Sequence, residues 1–345
     1  MRQNYLGLKN IKVIDMHINV GILGCGNIAR THADCFENIA NATLSGVTDT
    51  NHESCKAFAD CYGVKAYENY DAMIEDENIH IVSICIPSGF HEETAIKALR
   101  AGKHVIVEKP MAITSQGCDA IIRASEETGC MVTVISQLRF SDSIKKIKIL
   151  LDEGKFGRIL SADLSMKYWR DSSYYTESNW KGTKNIDGGG ALMNQGIHGV
   201  DLLVHLLGEP QVVGAKTKAL YHNIEVDDLS MAIVEFENGA LGSIQASTCL
   251  NPGFSRKLKI YGTDGYVVIC EDAIEELMLD GKLFDLGVNT VTNHDSARNH
   301  MVMETELHTR QIQNMVNSVQ GREKLYIDAN EGKKAVKLIC DIYNF

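Results

Sequence analysis

Between His17 and Asp49 an apolar run, His17 to Leu23, passes into Gly24-Cys25-Gly26-Asn27-Ile28-Ala29 and on into a helical pattern, Ile28 to Ile39. A glycine pair between strand and helix restricts the fold more than any other feature of the chain. Gly24 permits a tight turn, Gly26 lets backbone approach a pyrophosphate, and Ala29 lets helix and strand pack closely. The helix then begins with its partly positive end turned toward the negative charge. The next apolar run, Ala42 to Asp49, ends 20 residues beyond Ala29 on an acidic side chain suited to the ribose hydroxyls of an adenosine. Gly24, Cys25, Gly26, Asn27, Ile28 and Asp49 are therefore candidate dinucleotide contacts. NAD is favoured over NADP, because Thr50, Asn51 and His52 offer no permanent cation for a 2′-phosphate, although Lys56 lies one helical turn further on.

The same rhythm continues. His80 to Pro87, His104 to Glu108 and Met131 to Gln137 read as strands, with helical patterns at Glu53 to Cys61, Glu92 to Ala101 and Ser115 to Thr128. Such alternation predicts an α/β unit, a Rossmann doubly wound parallel sheet over residues 17–137. After a helix at Ser141 to Gly154, β-rich runs dominate: Leu160 to Trp169, Gln211 to Ala219, Met231 to Phe236, Ala240 to Thr248, Lys257 to Tyr261 and Tyr266 to Cys270. Asn238-Gly239 and Asp264-Gly265 supply hairpin turns. Residues 138–345 are thus expected to form a C-terminal α+β domain on a largely antiparallel sheet, with helices at Ala191 to Leu207 and Thr305 to Val319. Residues 1–16 read as an N-terminal extension.

Charge and cysteine usage narrow the function. A net charge of −11 disfavours nucleic acid as a partner, and no 18-residue apolar run suggests a membrane. The ten cysteines form no C-x-x-C pair and the N-terminus lacks a secretory pattern, so reduced thiols and a cytoplasmic location are expected. The twelve histidines never form H-x-x-x-H or H-E-x-x-H, and no metal is expected.

Together with Cys85-Ile86-Pro87-Ser88 and Glu108-Lys109-Pro110, the glycine loop resembles the glucose-fructose oxidoreductase/inositol dehydrogenase (Gfo/Idh/MocA) family, over nearly the whole chain after residue 17. The resemblance implies hydride transfer on sugars and polyols, with Ile86, Pro87, Ser88, His91, Glu108 and Lys109 beside the cofactor. Tyr174-Tyr175, Trp180-Lys181-Gly182-Thr183, the stretch from Asp187 to His198, and Asn223 to Asp228 are similar to a narrower branch, the bacterial UDP-N-acetyl-glucosaminuronic acid 3-dehydrogenases. Much of the wider family carries an Asp-x-Gly-x-His pattern, whereas this chain has Asn194 in place of the aspartate.

Oxidising a secondary alcohol needs a group to take the hydroxyl proton, and Lys109 and His198 are the candidates, with the roles of base and orienting group open between them. Lys109 precedes a proline at a strand's carboxyl end, where α/β ligands sit. His198 follows Asn194 by one helical turn and precedes Asp201 by three residues, and the three are expected to form one constellation entered through a flexible Gly188 to Gly190. A nucleotide-sugar uronate is anionic, so local cations are sought: Arg139, Arg170 and Lys181. The branch resemblance adds Tyr175, Trp180, Asn194 and Gln195 as sugar contacts and, more distantly, His308. Another sugar or inositol dehydrogenase and a non-catalytic NAD-binding regulator are the competing readings. β-rich, half-buried strands in the second domain suggest a sheet face used for self-association, and the family resemblance implies a homodimer or homotetramer.

Overall fold

The computed structural model describes residues 16–284 and 305–345. Of the expected N-terminal extension only Met16 falls within them. Six strands form the first sheet: β1 (Ile18–Leu23), β2 (Ala42–Thr48), β3 (Lys65–Ala66), β4 (Ile81–Ile84), β5 (His104–Val107) and β6 (Val132–Val134). They lie in the order β3-β2-β1-β4-β5-β6 and all pair in parallel. The order reverses between β1 and β4, which opens a crevice at their carboxyl ends where α/β ligands bind. Helices connect the parallel strands, and two of them start and stop on clear local signals. The side chains of Asn51 and Thr114 accept from the backbone N–H of Ser54 and Gly117, and Gly63 and Gly129 end the same helices in the left-handed region.

The second sheet has eight strands: β7 (Ile159–Lys167), β8 (Gln211–Lys218), β9 (Leu229–Glu235), β10 (Leu241–Ser247), β11 (Lys257–Gly262), β12 (Gly265–Cys270), β13 (Ala273–Leu279) and β14 (Lys282–Leu283). The order is β14-β13-β12-β11-β7-β10-β9-β8, antiparallel except where β7 meets β10. Asn238-Gly239 and Asp264-Gly265 do turn the β9–β10 and β11–β12 hairpins.

Two features depart from the sequence reading. Helix Thr305–Val319 returns to the first unit, where Ile312, Met315 and Val316, all 0% exposed, join the core of β1 and β2. Each such burial contributes about 1.5–3 kcal/mol. The second unit is therefore not one contiguous stretch. An unexpected helix, Ala329–Tyr343, sits between the units and packs on helices Ser115–Thr128 and Ile197–Leu207 and on β8.

Candidate functional site

The crevice is shaped first by backbone. Gly24 has φ of +102°, and a Cβ there would lie 2.4 Å from the Cys85 carbonyl oxygen, so no other residue fits the turn. Gly26 faces open space: a Cβ added to it meets no atom within 4 Å. Helix Asn27–Cys35 starts directly behind it. Asp49 rises from the end of β2 and accepts from the Cys25 N–H at 2.8 Å and the Asn51 N–H at 2.8 Å. Its carboxylate is held in place by backbone, with lone pairs left for two hydroxyls. An open glycine face, a helix start and a tethered acid suit the pyrophosphate and ribose of NAD, so the residues present fit that cofactor.

At the far side of the crevice β4 and β5 bring up Ile86 to Ser88 and Glu108-Lys109. His91, expected to touch the cofactor, is 1% exposed and its ring bridges the carbonyls of Pro110 (2.7 Å) and Ile86 (2.8 Å). It braces the two loops from behind. Glu108 is also buried. His32 Nε2 lies 2.9 Å from its Oε1, while its Oε2 accepts from the Lys109 N–H at 3.1 Å. Burial pushes this carboxyl up, but the hydrogen bond and charge of His32 outweigh burial and bring it down to about 2. His308, expected at the substrate, is 2% exposed and packs against the His32 ring, 5.9 Å between centroids. Helix Thr305–Val319 places it beneath the cofactor loop. Among the described residues, His32, Glu108 and His308 are the one group whose ligand atoms lie close enough to suit a metal ion, within 4.8 Å of one another. Two of the three already bond each other.

Lys109 points the other way. Its Nζ donates to the Asn194 carbonyl at 2.8 Å. Burial pushes the ammonium below its usual range, against the opposing pull of Glu108 and Asp187. Asn194 lies in a π turn, Ala191–Gly196, that opens into helix Ile197–Leu207. π turns recur at functional sites because they re-aim side chains. Gly190 has no room for flexibility: a Cβ there would lie 1.9 Å from the Asp227 carbonyl oxygen. The Asp227 carboxylate accepts from the N–H groups of Gly190 and Leu192 and from the hydroxyl of Tyr343, 2.7 Å away on the last helix. The glycines expected to be a flexible entry are instead a close-packed seam.

Around the turn runs a polar and aromatic chain. Asn194 Nδ2 donates to Asp187, and Asn194 Oδ1 accepts from Gln195 Nε2 at 2.8 Å. Gln195 also donates to the Tyr174 hydroxyl at 2.7 Å, and its Oε1 accepts from Arg170 at 2.7 Å. Lys181 Nζ stands 3.8 Å over the Tyr174 ring and the Arg170 guanidinium 5.7 Å from it. Burial lowers both cations, and for Lys181 the charges of Arg170 and Lys109 add to the effect. His198 and Lys109 line one narrow cleft with Met111 and Ser136. Burial, then the charges of Lys109 and Arg256, hold His198 well below the usual imidazole range and so keep it neutral.

Two expectations change here, those for Tyr175 and Arg139. Tyr175 is buried with its hydroxyl 2.8 Å from Thr248, and Tyr174 is the ring that joins the cluster. Arg139 is 1% exposed and bonds Asp201 twice (2.9 and 2.7 Å) and Glu331 once (2.8 Å). Its charge is neutralised inside the protein, and its partner Asp201 also lines the cleft of His198 and Lys109. Trp180 is half-buried in a turn whose Thr183 hydroxyl donates to its carbonyl. Sequence reasoning gave no role to Asp187 or Tyr343. Tyr343 acts across more than a hundred residues, and Asp187 reaches Asn194 across a run of glycines with no helical or strand spacing to mark the pair.

A profile described as oxidoreductase family, NAD-binding Rossmann fold (GFO_IDH_MocA) matches residues 18–136, and a GFO/IDH/MocA C-terminal domain profile matches residues 144–268. The curated protein Oxidoreductase P35 of Formosa agariphila is 31% identical over 66% of this chain and 71% of its own length. Glucose-6-phosphate 3-dehydrogenase of Bacillus subtilis is 29% identical over 68% of this chain and 70% of its own. The WlbA dehydrogenase of Bordetella pertussis, solved with NADH and UDP-GlcNAcA, superposes with a TM-score of 0.86 at 29% identity and covers 96% of this chain and 95% of that one.

Proposed function

Because the chain belongs to the Gfo/Idh/MocA oxidoreductases, NAD-dependent dehydrogenases of sugar CH–OH groups, we propose that its substrate is UDP-N-acetyl-glucosaminuronate and the oxidised group its 3-hydroxyl. One observation carries this reading. In a chain of net charge −11, three cations, Lys109, Arg170 and Lys181, converge on the Tyr174–Gln195–Asn194 cluster. Like charges held in buried and half-buried positions repel one another, and an anionic substrate relieves that repulsion. The likeness to WlbA supports the same substrate class.

Bound NAD supplies the hydride acceptor. The amine of Lys109, brought toward its neutral form by burial, takes the hydroxyl proton as the C–H hydride leaves. Neutral His198 hydrogen-bonds the same hydroxyl and orients it. Arg170 and Lys181 hold the carboxylate and diphosphate, and the Tyr174 ring offers a face to the sugar. Gly24 to Ile28 and Asp49 hold the pyrophosphate and ribose, with Ile86 to Ser88 on the opposite wall.

A turnover panel followed by NADH absorbance tests the reading. UDP-N-acetyl-glucosaminuronate should exceed UDP-N-acetylglucosamine, glucose 6-phosphate and myo-inositol in kcat/KM. Preference for an uncharged polyol would sink it.

The ten free thiols fit a reducing cytoplasm. Among the described residues, no helix is long and apolar enough to cross a membrane. Val213, Met231, Ile233 and Leu241 are exposed on strands β8 to β10, and a second copy of the chain covers that patch in the proposed homo-oligomer. Ile233→Glu should lower the mass measured by light scattering. An unchanged mass would leave the patch without that role.

A further inference from the structure

The family pattern puts an aspartate one turn ahead of the histidine, and this chain has Asn194 there. The structure returns a carboxylate to that place from another element. Asp187 is 1% exposed, its Oδ1 accepts from Asn194 Nδ2 at 2.5 Å, and its Oδ2 accepts from the Gly182 N–H at 2.7 Å. One residue earlier, the Ile186 carbonyl accepts from the Gly89 N–H at 2.7 Å. The segment carrying Asp187 is thus pinned to the loop that walls the cofactor crevice. On the other side of Asn194 its carbonyl accepts from Lys109.

We propose that Asp187 is a positioning residue of the reaction centre: bonded to Asn194, it fixes the carbonyl that holds Lys109 and supplies the negative field that sets the amine's proton affinity. The proposal rests on the reading of Lys109 as the base. The charged and titratable groups facing Lys109 are Glu108 on its own strand end, Asp187, Arg170 after β7, and His198 on the helix beyond the π turn. Lys181 faces Asp187 as well as Lys109. Glu108 is held by His32 and by the Lys109 backbone, so its charge is constant over the working range. Arg170 carries a permanent charge, and neutral His198 adds none. Asp187 is the variable member. Burial pushes its carboxyl up to about 6, against the hydrogen bonds from Gly182 and Asn194. Below that pH it is protonated and the Lys109 ammonium loses a stabilising neighbour. Above it the carboxylate favours the charged amine, and the proton taken from substrate is better held.

The experiment reads Lys109 without substrate. The full chain is labelled with a small amine-acylating reagent across pH, and Lys109 modification is quantified by mass spectrometry. In Asp187→Asn the labelling midpoint should move to lower pH, because an opposing charge has been removed, and Asp187→Glu should restore it. NADH affinity, read by fluorescence, should stay within about two-fold, and turnover on the best panel substrate should fall about ten-fold. An unchanged Lys109 midpoint in an Asp187→Asn protein that binds NADH normally would overturn the proposal. Should that variant fail to fold, Asp187→Ser, small and neutral with an oxygen for the Gly182 N–H, carries the same test. Retained turnover in Lys109→Met would instead bring down the reading of Lys109 as base, whatever the labelling gives.

Discussion

The two sides of the crevice are built by different means. The cofactor side is backbone: a positive-φ glycine, an open glycine, a helix start, and one acid tied to two neighbouring N–H groups. The substrate side is side chains, in which Lys109, Arg170, Tyr174, Asp187, Asn194 and Gln195 arrive from five separate segments and hold one another by hydrogen bonds. A backbone site tolerates drift in most of its sequence, because any residue supplies an N–H. A side-chain network changes its preference when one member changes, which is how one fold serves many sugars.

That contrast can be broken by experiment. Lys109→Met removes a proton acceptor from the network and should cost about a thousand-fold in kcat/KM with NADH binding kept. Loss of NADH affinity of similar size would mean that the two sides are not separable. Arg139→Leu should cost about 3 kcal/mol of stability, because Asp201, 4% exposed, is left as an uncompensated buried carboxylate. Thermal melting checks it. A Tm within a degree of wild type would return Arg139 to the substrate side, where sequence reasoning had put it. The smallest and sharpest case is Gly26→Ala. No protein atom stands in the way of the new Cβ, so melting should be unchanged while NADH affinity falls about ten-fold. A fall in Tm without a fall in affinity would show that the loop is a structural turn.

The same contrast governs what could be read from sequence. The glycine loop, Asp49 and Glu-Lys-Pro lie in short consecutive stretches whose geometry follows from residue type, and the structure keeps them where the spacing put them. β13, Ala-Ile-Glu-Glu-Leu-Met-Leu, is rich in helix formers, and its pairing with β12 and β14 makes it a strand. Helix Ala329–Tyr343 had a legible start, since Asp328 caps the Glu331 N–H ahead of an apolar face at Ala335, Val336, Leu338, Ile339 and Ile342. Asp187 could not have been found this way. Its partner, Asn194, is seven residues on, beyond a glycine seam whose path is set by Asp227 and Tyr343. Arg139 misled for a related reason: a buried arginine and a ligand-binding one look alike until their partners are known.

The π turn at Ala191–Gly196 has one more consequence. It takes up one residue more than an α-helical turn of the same rise, so side chains before it are rotated by about 100° relative to a continuous helix. Deleting a single residue from this turn would swing a different side chain toward the sugar and leave His198 where it stands. Substrate preference in such a chain can therefore change in one discrete step of length, without a substitution at any residue that touches the cofactor.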